Sequence, residues 1–374
     1  TTQIRALANT QLAALADTQV AALTSTQLQA IATTRITAFD ETQVAAFTAT
    51  NMASLTETQI AAMATTQIAS ITATNLRSLA DTQIAALTTT QISALSTAQV
   101  GGLNATNVGA LTNAQIGAMN ATQIASLSTA AVSAFDSGQF AQLNATQVKA
   151  LTATQVAAFT ATDIGDITTT QIGALTTTQV TALTSTNVGD LSETQIATFS
   201  TAQLQALTTN NLRAFADTQI AALTDTQVAN ISATQVASLT ATNVAAFTTN
   251  QAAALTATQL SLLTGTNVHA FSDTQIAAMD ATQIKAFTTT QLASLNATDM
   301  AEFAATQIAA MTTTQVGALS NTNFAALADT QVEALTTTQL TAVSAAKVTA
   351  MTETQTAALT TTQIASLSTT QVRA

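Results

Sequence analysis

A pattern of eight residues runs the length of this chain without one insertion or deletion, and so short and strict a period leaves few folds open. A typical copy reads Thr82-Gln83-Ile84-Ala85-Ala86-Leu87-Thr88-Thr89. A length of 374 residues alone would suggest two or three domains. Fixed repetition argues instead for one quasi-one-dimensional array, a single solenoid expected over residues 1–374.

Positions are numbered here by the remainder after division by eight. Position 3 is usually Gln, position 4 is mostly Ile, Val, Leu or rarely Met, and position 7 is mostly Leu, Phe, Met or Ile. Position 0 decides the local structure. Of its 46 occurrences, 38 are Thr, Ser, Asn or Asp, the residues whose side-chain oxygen caps a helix N-terminus. Gln three residues later completes a capping box, as in Thr88-Thr89-Thr90-Gln91. Ten of the 19 acids stand at position 1, where the helix dipole favours a negative charge. Positions 4 and 7 share one helical face.

Each octad therefore reads as a helix of one to two turns. One continuous helix is excluded, because its apolar stripe would rotate by roughly 80° per octad. The rival is a β-solenoid, favoured by Thr, Ile and Val. Apolar spacings of 3 and 5 rather than 2, the scarcity of Gly and the absence of turn dipeptides argue against it. The predicted fold is all-α: a tight solenoid with positions 4 and 7 inside, Ala at close contacts, and Thr, Gln and the acids at the surface or capping helices. Helices this short cannot stand alone, so successive octads must stack.

A second period overlies the first. Position 3 departs from Gln at Arg35, Asn51, Asn75, Asn107, Ala131, Asp163, Asn187, Asn211, Asn243, Asn267, Asp299, Asn323 and Lys347. From Asn51 the departures come every three or four octads, in a block of 17 octads, or 136 residues, that recurs. Five intervals in 17 octads give 3.4 octads, about 27 residues, per superhelical turn, and place the departures on one side. At a helix spacing of about 10 Å the chain would form a rod of about 130–140 Å. The only acids at position 6, Asp166, Asp190 and Glu302, also fall in departing octads. These residues, Ala131 excepted, together form the candidate lateral-contact face.

Composition narrows function further. A net charge of −11 with scattered Lys and Arg argues against nucleic acid or an anionic membrane as partner. No apolar run is long enough to cross a bilayer. Without Cys there is no disulfide or thiolate metal site. Catalysis would need a nucleophile, base and orienting group, yet the chain has one histidine, His269. It is expected to face solvent or to be partly packed, and no enzyme, metal site or cofactor is expected. The pairs Asp163/Asp166, Asn187/Asp190 and Asp299/Glu302 offer at most part of a calcium shell. The triplets beginning at Asn104, Asn120, Asn144, Asn230 and Asn296 match the glycosylation pattern, four of them as a by-product of capping. The chain begins in mid-pattern and ends in mid-octad, which points to a piece of something longer or to end-to-end assembly with itself.

The motif Leu87-Thr88-Thr89-Thr90-Gln91-Ile92-Ser93-Ala94-Leu95 resembles the Thr/Ala/Gln-rich octad arrays of very large secreted bacterial surface proteins. That resemblance implies an extracellular, adhesin-like or fibre-forming role and carries over no functional residue. The expected role is a structural rod or filament segment on the cell surface. The alternatives are a binding module with a lateral ligand face and, below it, an amyloid-like β-fibre.

Overall fold

The structure, a computed structural model, describes residues 2–374. Every octad holds one short helix, and no strand occurs among the described residues. The β-solenoid and β-fibre readings fall with that. The chain divides into two compact units, Thr1–Leu191 and Ser192–Ala374, built on the same plan.

The helix Thr89–Ala94 shows how the octad folds. Thr88 Oγ1 accepts from Gln91 N at 3.2 Å, and Gln91 Oε1 accepts from Thr88 N at 2.7 Å. Both halves of the capping box are made. The helix stops after position 6. Leu87 (φ −60°, ψ 134°) and Thr88 (φ −74°, ψ 157°) are both extended, and this pair at positions 7 and 0 turns the chain into the next helix. No described residue has a positive φ. The turn needs neither glycine nor proline, which explains why the chain manages with ten Gly and no Pro.

In each unit a helix packs against the helices three octads before and three after. Thr89–Ala94 lies between Thr65–Ser70 and Asn113–Ala118 in the first unit, and Thr313–Ala318 between Thr289–Ser294 and Thr337–Ala342 in the second. Side-chain hydrogen bonds reach residues 28 and 31 back. A turn thus holds between three and four octads, which brackets the expected 3.4. Positions 4 and 7 form the core: Ile92 and Leu95 are buried, as are their counterparts through most of the chain. Each pair contributes about 2–4 kcal/mol of gross burial, most of it offset by backbone ordering. Phe rings in this core meet edge-on, Phe39 on Phe47 at 5.6 Å, both at position 7, and Phe140 at position 4 on Phe159 at position 7 at 5.5 Å.

One octad departs from the α-helix. Residues Thr33–Ala38 form a 3-10 helix. Its cap position is Ala32 and its position 3 is Arg35, so neither half of the capping box can form. Octads that lose only the cap residue, such as Ala80 with Gln83, remain α-helical.

Candidate functional site

The polar feature built most consistently into this fold is the glutamine at position 3. It was expected at the surface or capping its own helix. It does cap, but it is buried: Gln59, Gln91, Gln115 and Gln123 are all nearly inaccessible. Each side chain works at both ends. Gln115 Oε1 accepts from Thr112 N at 2.6 Å, and Gln115 Nε2 donates to Ile84 O at 3.0 Å and to Leu87 O at 2.5 Å. Those carbonyls close the C-terminal end of a helix on the adjacent superhelical turn, where carbonyls lack intrahelical partners. One amide thus caps the start of its own helix and the end of another. The same geometry recurs at Gln59, Gln83, Gln251 and Gln339. A signal for it lies in the sequence: a capping box accepts Glu as readily as Gln, yet none of the 47 residues at position 3 is Glu.

The departures from Gln occupy the same slot, which corrects the lateral-face expectation for most of them. Asn51, Asn75, Asn107, Asp163, Asn187, Asn211, Asn243, Asn267, Asp299, Asn323 and Lys347 are buried in the stack and cannot meet a partner on the outside. Arg35 is half-buried. Asp166 and Glu302 are likewise partly exposed, and Asp190 is exposed. The physical reason is that position 3 precedes the apolar position 4 on the inward side of the helix. Asparagine is one methylene shorter and donates to the carbonyl 28 residues back: Asn187 Nδ2 to Phe159 O at 2.7 Å, Asn323 Nδ2 to Leu295 O at 2.7 Å. The longer cations reach the carbonyl 30 residues back, Lys347 Nζ to Gly317 O at 2.8 Å and Arg35 Nη1 to Arg5 O at 3.0 Å.

The two aspartates solve the slot differently. Asp299 has no donor to send down, and the donor comes up: His269 Nδ1 lies 2.7 Å from Asp299 Oδ1. His269 is half exposed, and the pair bridges two turns. Asp163 Oδ2 accepts from Thr160 N and Thr160 Oγ1. Burial raises its carboxyl above the ordinary range, against those two bonds, and Asp166 adds to the rise. Glu302 is likewise raised, by burial first, then by Asp299 and Asp273, with His269 opposing.

Among the described residues no group of three or more His, Asp or Glu is gathered closely enough to hold a metal ion. No helix of the described residues is long and apolar enough to cross a membrane. Asn104, Asn120, Asn144 and Asn296 use their side-chain oxygens as helix caps. A surface groove of about 530 Å³ lies between Arg5 and Arg35. Sequence reasoning missed it, although residues 32–39 form the one octad with neither a capping residue nor Gln. In the last octads Ile364 and Val372 are exposed, unlike their counterparts at position 4. In the first, Gln11 and Gln19 keep only the capping half of their bonds.

The family model of the ALTTAQ repeat matches residues 81–113 and 196–233. No curated protein matches the chain in sequence.

Proposed function

We propose that this repeat protein, a solenoid of short helices, serves as a structural segment of an extracellular, bacterial surface protein, a rod or filament element rather than an enzyme. The observation that supports this is the two-ended glutamine. The chain's most consistently placed polar groups are spent on joining one turn to the next, and those joints repeat along both units. A turn offers amide donors on one side and carbonyl acceptors on the other. Such a surface is complementary to another copy of itself, and self-association by continued stacking is the partner interaction proposed. The scattered cations and net charge of −11 favour neither nucleic acid nor an anionic membrane surface as partner.

Negative-stain electron microscopy of the purified chain tests the architecture in solution. Slender particles that lengthen with concentration are expected, and compact monomers at every concentration would overturn self-stacking. Antibody raised against the chain tests the location. It should label intact source cells, and labelling only after permeabilisation would remove the surface assignment.

A further inference from the structure

We propose that the groove between Arg5 and Arg35 binds an oxyanion, presented as a phosphate or a carboxylate. The chain carries a net charge of −11 and only eight Lys and Arg. Two of those cations nevertheless line one groove of about 530 Å³, together with Gln29, Thr33, Thr56 and Thr58 and with no acidic residue. Glu57, next in sequence to two of these threonines, lines the adjoining groove with Ala53 and Thr82 instead. The one ion pair among the described residues is His269 with Asp299, so neither guanidinium is neutralised by the chain.

Arg35 is also held in place. Its Nε donates to Asn9 Oδ1 at 3.0 Å and its Nη1 to Arg5 O at 3.0 Å, while its Nη2 is buried without a partner. A buried charged donor lacking an acceptor is costly. The octad meets a second cost: glutamine at this slot would cap its own helix and bond two carbonyls, whereas Arg35 stands in a 3-10 helix with no capping box. As a joint between turns Arg35 is inferior to the residue it replaces. As one of two cations lining a groove with hydroxyls and no carboxylate, it suits a small oxyanion, whose charge the guanidinium groups complement.

Calorimetric titration of the 374-residue chain with inorganic phosphate and with acetate, against chloride at matched ionic strength, is the test. The expected result is saturable one-to-one binding of phosphate or acetate that chloride does not reproduce. Arg35→Gln and Arg5→Gln should each weaken it at least tenfold. Arg35→Gln restores the repeat pattern and should keep or raise the melting temperature, so loss of binding would not reflect misfolding. No binding beyond that of chloride, or undiminished binding by either variant, would overturn the proposal.

Discussion

A single amide group decides what position 3 tolerates. Gln115 accepts with its oxygen from Thr112 N and donates with its nitrogen to Ile84 O and Leu87 O. Gln115→Glu keeps the acceptor and turns a negative charge on the two carbonyls. It should cost about 3 kcal/mol, the price of a buried, unpaired charge. Gln115→Asn keeps one donor and should cost about 1 kcal/mol. Shifts of the urea midpoint measure both, and equal losses would contradict the two-ended role. Asp163 offers the reverse experiment. Its raised folded pKa means that its contribution to stability is fully present below its unfolded value, near 4, and is lost as pH rises through the folded one. Asp163→Asn supplies a donor at every pH. The variant should be more stable by about 1 kcal/mol at pH 7, and its advantage should vanish below about pH 4. Melting temperatures across that range check the sign.

At the scale of the helix, much was legible beforehand. Cap residues at position 0, Gln three places on, acids at position 1 and apolar residues at 4 and 7 state the helix, its start and its inner face. Thr88, Gln91, Ile92 and Leu95 all stand where that pattern puts them. The burial of Gln91 was not legible, because a capping role seen within one octad says nothing of the carbonyls of Ile60 and Met63, 31 and 28 residues away. The same blindness turned a buried rung into a supposed outer face at Asn187 and Asn323: periodicity shows that residues share a side, but not whether that side points in or out. The capping account predicts a local effect. Ala80 gives its helix no side-chain cap, although Gln83 Oε1 still accepts from Ala80 N at 2.8 Å. Ala80→Ser should add about 0.5–1 kcal/mol and Thr88→Ala should remove a similar amount. Thermal melts of the two variants and of the double mutant compare them.

At the scale of the whole chain, the bonds between turns connect like positions to like positions: Gln at 3 typically meets carbonyls at 4 and 7, as at Gln91 and Gln339. Removing residues 88–95, one complete octad, brings another copy of the same carbonyls into reach. Helix content by circular dichroism should stay in proportion to length, and the melting temperature should move by only a few degrees. Removing Ala85 alone shifts every later position against its partners. It should lower the melting temperature by about 5–8 °C, the shift that about 2–3 kcal/mol lost from a disrupted pair of turns gives the unit Thr1–Leu191. The extended pair at positions 7 and 0 adds to this tolerance, since a corner made from ordinary backbone can be copied without special residues. For a gene, such a corner makes reach a countable quantity. Unequal recombination between near-identical octads would lengthen or shorten the product in steps of eight residues, and each new length would meet the same rules of assembly as the last.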